Sequence, residues 1–237
     1  MNESKAFFIF AHSMPTKLEK FAEFNSLPNC VWLPFEEKDE GLAMRGKWRS
    51  DYFKNNNPIV LELGCGRGEY TVGLAQKHPD VNYIGADIKG NRIWTGAKYA
   101  VENNMKNVAF IRVMIDFIEN CFTEEEVDEI WITFPDPQPQ KTRIRKRLTS
   151  PRFLNNYFKF LKKDGLIHLK TDSTFFYEYT LETIAEMKLK LLYSTADLYD
   201  HNPAGLEELT QIQTHYEKLF SDKGEKIKYC CFQKQEG

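Results

Sequence analysis

From Ile59 onward short apolar runs alternate with longer segments of helical period, and this pattern limits the possible folds more than any other feature of the chain. Residues 59–63, 82–86, 108–113, 127–134 and 166–170 read as strands, with helical segments over 69–77, 89–103 and 151–161 among them. Strands separated by helices must be joined by crossovers rather than hairpins. The pattern therefore predicts an α/β fold with a mostly parallel, doubly wound sheet and helices on both faces. A helix over 174–187 and strand-like runs over 189–195 and 227–232 predict an antiparallel edge strand. Before Ile59, Pro15, Pro28 and Pro34 break a helix-like 17–24 segment and its neighbours into short pieces ahead of Arg45-Gly46-Lys47-Trp48-Arg49. Residues 1–57 read as an N-terminal extension with a basic arm, and residues 58–237 as one domain.

Composition narrows the function classes. The formal net charge is −2, so any nucleic-acid binding must come from a local patch and not from global basicity. The five cysteines are scattered, odd in number and without a CxxC pair, which points to free thiols in a reducing compartment and to no metal centre. Adjacent Cys230 and Cys231 fit opposite faces of a strand. The apolar stretch over residues 6–11 is too short for an export signal, and no run approaches the ~20 residues of a membrane span. A cytoplasmic protein with no membrane attachment is expected.

The first strand of the alternating region ends in Glu62-Leu63 and runs directly into Gly64-Cys65-Gly66-Arg67-Gly68-Glu69. Glycines in a strand-to-helix turn let the backbone bend sharply and approach a ligand with no Cβ in the way. The spacing is GxGxG, neither the dinucleotide GxGxxG nor a P-loop, which disfavours hydride transfer and nucleotide hydrolysis. Glu62 is placed to act as an anionic acceptor near the ligand or the loop backbone. Asp87 ends the next strand, where a carboxylate can take both hydroxyls of a ribose.

The apolar run over 130–134 leads into Pro135-Asp136-Pro137 and then Lys141, Arg143, Arg145, Lys146 and Arg147. The prolines fix φ and disfavour helix in the residue before each, so Asp136 is expected on a stiff turn at a strand's carboxyl end. Open α/β sheets place their chemistry there. The five basic side chains repel one another unless acids or an anionic partner offset them, and nucleic acid is the obvious partner. A charged loop that only keeps the surface soluble is the plainer alternative.

Together the glycine loop, Glu62 and Asp87 resemble the Rossmann-like methyltransferases that use S-adenosylmethionine. Pro135-Asp136-Pro137 narrows the resemblance to the tRNA (guanine-N7)-methyltransferases. Further matches are Gly46-Lys47-Trp48, Tyr83-Ile84-Gly85, Lys146-Arg147-Leu148-Thr149, Lys170-Thr171-Asp172 and Thr214-His215-Tyr216-Glu217, which fall in order across roughly three quarters of the chain. The resemblance makes residues 58–237 the methyltransferase domain. It implies that Glu62, Gly64, Gly66, Asp87, Met114 and Asp136 hold S-adenosylmethionine, and that Asp136 is the catalytic-site carboxylate. It also implies that Lys141, Asp172, Thr214 and Glu217 face a tRNA guanine, methylated at N7 in the variable loop, with no obligate second subunit.

The chain departs from the family at several places. Gln138 and Gln140 stand where Trp and Lys are usual, with Lys141 one place on as a substitute. Met114 stands where an acid usually meets the adenine, with Asp116 two places later. Taken alone, Asp172 also reads as a helix cap, Thr214 and Glu217 as a helix face, and Trp48 as either a base platform or a core aromatic. Arg45, Lys47, Arg49 and Arg152 are expected to join the 141–147 run on backbone phosphates. The rival readings are a methyltransferase with another RNA or protein acceptor, and a non-catalytic RNA-binding protein that keeps the fold.

Overall fold

The computed structural model describes residues 15–201, 203 and 206–235; the apolar stretch over 6–11 lies outside the described residues. The elements are α1 (Lys17–Phe24), β1 (Cys30–Trp32), β2 (Ile59–Leu63), α2 (Glu69–Lys77), β3 (Asn82–Asp87), α3 (Gly90–Glu102), β4 (Val108–Arg112) and β5 (Val127–Thr133), followed by α4 (Pro151–Tyr157), β6 (Leu161–Thr171), α5 (Thr174–Glu186), β7 (Lys190–Thr195), α6 (Glu208–Gln211), α7 (His215–Ser221) and β8 (Lys228–Gln233). One eight-stranded sheet runs β1-β4-β3-β2-β5-β6-β8-β7. The pairs from β1 through β6 are parallel, and β8 runs antiparallel to both β6 and β7. This is the α/β sheet with an antiparallel edge that the sequence predicts.

β2 is buried at every position, which is the pattern of a parallel strand covered on both faces. Alternation sorts its side chains into two layers. Ile59, Leu61 and Leu63 join Ile84, Ile111, Ile130, Trp48, Phe122 and Phe160 on one face. Val60 joins Tyr83, Trp131 and Tyr229 under α2 and α3 on the other. Cys230 and Cys231 fall in opposite layers, and all five thiols are free.

The segment before Ile59 is built into the same sheet and core. β1 pairs with β4, and Trp48 is fully buried with its indole N–H donating to the Cys121 carbonyl at 3.0 Å. Trp48 is therefore a core aromatic and not a base platform. The Glu126 carboxylate accepts from the backbone N–H groups of Gly46 at 2.9 Å and Trp48 at 3.3 Å. Arg49 pairs with Asp128 at 2.6 Å, and Arg45 donates to the Phe122 carbonyl at 3.0 Å. These two arginines tie the segment down and are not the free phosphate contacts expected of them. A three-residue strand carries no readable period, and a buried Trp between two basic residues looks like surface.

β6 begins five residues earlier than expected, and α4 ends sooner. Leu161 pairs with Val127 while Leu166 pairs with Glu129, so the strand passes an irregularity whose polar residues hide its start. The chain winds from β2 outward to β4 on one side, then returns to β5 on the other side of β2. Between β2 and β5 the order reverses, and such a switch point opens a crevice at the strands' carboxyl ends.

Candidate active site

A cavity of about 930 Å³ opens at that switch point. It brings together Gly64 and Gly66 from the loop after β2, Asp87 from the end of β3, and Asp136 from the segment after β5. Asp172 after β6 and Thr214 before α7 complete the set. Gly64 and Gly66 have φ of +74° and +56°, in the region that favours glycine. A Cβ on Gly64 would have Leu148 as its nearest neighbour at 3.9 Å, and one on Gly66 the Gly64 carbonyl at 4.0 Å, so both positions leave room for a ligand. Gly68 does a different job. A Cβ there would stand 2.6 Å from the Phe110 ring, so this glycine lets α2 start close against the sheet.

Of the two acids beside the loop, Asp87 is bonded to it and Glu62 to the elements behind it. Asp87 accepts from the Gly66 N–H at 3.0 Å with one oxygen and from the Lys89 N–H at 2.8 Å with the other. Glu62 lies behind the loop, 4% exposed and off the cavity lining. Its carboxylate accepts from the Thr71 backbone N–H at 2.9 Å, from the Thr71 hydroxyl, and from the Thr133 hydroxyl at 2.5 Å. It thereby clamps the first turn of α2 to β2 and β5.

Burial pushes the Glu62 carboxyl up to about 7, against the lowering effect of the threonine donors. With a folded value above the unfolded one, its contribution to stability is complete below about pH 4 and is lost as the pH rises through 7. Urea unfolding between pH 5 and 8 is therefore expected to show Glu62→Gln gaining on wild type as pH rises, on the order of 2 kcal/mol across the window. A stability difference that does not vary with pH would place the ionisation elsewhere.

Asp136 is exposed at the carboxyl end of β5, on a segment bracketed by two strained residues. Phe134 and Gln138 hold φ of +47° and +45°, costing about 1–3 kcal/mol each for side-chain-bearing residues. The Asp136 carboxylate accepts the Gln138 N–H at 3.1 Å. Arg147 secures the other end of the segment: its Nε donates to the Gln138 carbonyl at 3.1 Å, and its guanidinium lies 4.6 Å from the Phe175 ring and 4.3 Å from the Tyr179 ring. At 4% exposure Arg147 is a fastener between the loop and α5, which removes it from the expected phosphate contacts. Arg152 is likewise engaged, with Asp116 at 2.7 Å. Lys141, Arg143, Arg145 and Lys146 remain exposed on a short 3-10 helix.

On the far side of the cavity Asp172 is half-buried, and burial holds its carboxyl above the usual carboxylate range. Ser173, not Asp172, caps α5, so the Asp172 side chain has no capping duty. Thr214 caps α7 by accepting the Glu217 N–H at 3.1 Å. Glu217 itself is fully buried and off the cavity lining; its Oε1 meets Lys170 Nζ at 2.8 Å and the Tyr199 hydroxyl at 2.9 Å. Lys170, fully buried, also donates to the carbonyls of Leu209 and, at 3.3 Å, Ile212. Burial pulls its ammonium down and Glu217 opposes that pull. The Glu69 carboxylate adds a tie by accepting the His215 N–H at 2.8 Å.

Of the expected site residues, Gly64, Gly66, Asp87, Asp136, Asp172 and Thr214 line the cavity; Glu62, Met114, Lys141 and Glu217 do not. Sequence reasoning missed the positioning group Lys170, whose inward place on β6 was the available signal. It also missed the wall supplied by α1, whose Thr16 and Glu19 form a reciprocal cap.

Residues 56–230 match a family model described as a putative methyltransferase. The chain is 50% identical over 217 residues to the tRNA (guanine-N(7)-)-methyltransferase of Bacteroides fragilis, covering 91% of this chain and 84% of that one. It is 49% identical to the enzyme of the same name from Christiangramia forsetii, over 91% and 96% of the two chains. Among solved structures, the 16S rRNA methyltransferase KamB superposes with a TM-score of 0.59 at 16% identity, over 81% of this chain and 92% of that one, a likeness of fold. With a glycine cradle and three strand-end carboxylates meeting at the switch point, and with relatives this similar along nearly the whole length, the chain belongs to the tRNA (guanine-N7)-methyltransferase family.

Proposed function

We propose that this protein transfers the methyl group of S-adenosylmethionine to N7 of a guanine in tRNA, with a variable-loop guanine as acceptor, and that it works in the cytoplasm without an obligate second subunit. Family membership supports the reaction class, and no helix among the described residues is long and apolar enough to cross a membrane. The observation that carries the reading is the cavity in which Gly64, Gly66, Asp87, Asp136 and Asp172 converge.

The bound cofactor supplies an electrophilic methyl group on a sulfonium. Gly64 and Gly66 give its backbone-side approach the room noted above, and each Asp87 oxygen, already accepting one N–H, has a lone pair left for a ribose hydroxyl. Glu62 serves the cofactor indirectly, through the first turn of α2 that it clamps behind the loop. Met114 is exposed just past β4 though off the cavity lining, and with Asp116 held by Arg152 it is the residue of this stretch left to offer the adenine an apolar surface.

Guanine N7 carries an in-plane lone pair and no proton, so no side chain need act as a general base. What the protein supplies is alignment, which is worth on the order of several kcal/mol when reacting atoms are held in line. The ring becomes cationic as N7 is methylated. The fixed carboxylate of Asp136 favours that charge or holds an amino group at the junction of the two ligands. Asp172, without a capping role, accepts from the guanine's N–H groups, and the Thr214 hydroxyl proton is free to donate beside it. Lys141 with Arg143, Arg145 and Lys146 contacts phosphate from outside the cavity.

Tritium transfer from labelled cofactor into tRNA lacking 7-methylguanine, followed by nucleoside analysis, tests the reaction and the atom together. Label is expected in 7-methylguanosine, and replacement of the variable-loop guanine by adenine is expected to abolish it. Label in another nucleoside, or in protein, would overturn the reading.

A further inference from the structure

The cavity wall formed by α1 and the start of α3 is cationic. Lys17 and Lys20 of α1, Arg67 of the glycine loop, and Lys89 and Arg92 near the start of α3 all line it. Among the described residues the side chains of Lys17, Arg67, Lys89 and Arg92 have no hydrogen bond or ion pair, and Lys20 lies over the Trp94 ring at 4.8 Å. The neighbouring acids are occupied. Glu19 closes the cap of α1 with Thr16. Glu23 takes Lys98 at 2.9 Å and the Trp94 indole N–H at 2.8 Å, and Asp87 takes two backbone N–H groups.

Some surface cations elsewhere have acids beside them, as in Arg152 with Asp116 and Lys226 with Asp197, whereas here five line one wall without an acid partner among the described residues. Unpaired cations gathered on one rim of a protein whose net charge is −2 repel one another, and an anionic partner offsets that cost. A single small-molecule carboxylate neutralises one charge of the group, whereas successive phosphates neutralise all of it.

Topology places this rim opposite the other basic edge. β3 leads into Lys89 and Arg92, β5 leads into Arg143, Arg145 and Lys146, and these two strands pair with β2 on either side. The cavity mouth thus has a cationic edge on each flank, with Asp136 and Asp172 on its lining. We propose that the α1–α3 rim is a second phosphate-binding edge. An RNA strand crosses the mouth with backbone held on both flanks and one base presented to the carboxylates. The inference rests on the tRNA reading above and adds the face and direction of docking.

The test is the triple variant Lys17→Gln/Lys89→Gln/Arg92→Gln, measured by tRNA filter binding across a salt series and by cofactor calorimetry. The slope of log affinity against log salt is expected to fall by about three, one for each phosphate contact removed. Affinity for tRNA at about 100 mM salt is expected to drop roughly tenfold or more, with cofactor affinity held within about threefold. Lys17→Arg/Lys89→Arg, which keeps the charges, is expected to keep the slope. An unchanged slope in the triple variant overturns the inference, as does loss of cofactor affinity without a change in slope. If the wild type labels tRNA and the slope is unchanged, this inference alone fails; if the wild type labels no tRNA, the functional reading fails and takes the inference with it.

Discussion

Replacing Lys170 with methionine is expected to destabilise the fold by about 3–5 kcal/mol, because it leaves a carboxylate buried without its counter-ion. Glu217 is fully buried, its Oε2 already has no hydrogen-bond partner, and without Lys170 its Oε1 retains the Tyr199 hydroxyl. The Leu209 and Ile212 carbonyls would lose the same donor. The double variant Lys170→Met/Glu217→Gln is expected to recover most of that loss, since replacing a buried pair by neutral groups is often close to neutral. Activity is expected to behave differently. Lys170 grips the chain just before Thr214, His215 and Tyr216, which line the cavity, so the double variant should fold yet show a raised KM for tRNA. Urea unfolding and methyl-transfer kinetics on the three proteins check both parts. A Lys170→Met variant within about 1 kcal/mol of wild type would mean that the pair is not ionised or not buried in solution.

That pair also shows where sequence reading stops. The central sheet was legible because buried parallel strands and their crossover helices leave long periodic signals, and the glycine loop because its three glycines follow a strand at once. Asp87 and Asp136 were legible as strand-end carboxylates, a position fixed by local order, whereas Asp172 taken alone reads as a helix cap and entered the site only through the family resemblance. Glu217 was legible as a matched residue but not as a buried one, because its partner lies 47 positions away on another element. Arg147 and Arg49 belonged to basic runs, and only tertiary contacts distinguish a guanidinium held between two aromatic rings or against Asp128 from one open to phosphate. The α1 wall was hidden for a similar reason: its lysines acquire meaning only when α1 packs on α3.

Asp136→Asn is expected to lower kcat by roughly 10²–10³ while changing tRNA affinity by less than about threefold. The substitution keeps the shape of the side chain, and the amide oxygen can still accept the Gln138 N–H that the carboxylate accepts at 3.1 Å. The strained Phe134 and Gln138 and the Arg147 fastener are untouched, so the loop keeps its course. What is removed is one negative charge on the cavity lining, which the proposed reaction sets beside the positive charge that develops on the guanine ring. In the proposed docking, tight tRNA binding is drawn from phosphates on the basic edges, which the change leaves alone. Single-turnover kinetics with saturating cofactor, set against filter binding of the same tRNA, separates the two quantities. Equal losses in turnover and affinity would make Asp136 a docking residue, and a matching fall in thermal midpoint would make it a folding one. A selective loss of turnover would instead tie the charge of this carboxylate to the methyl-transfer step, and the two prolines and two left-handed residues around it would then be the means by which the chain holds that charge in place.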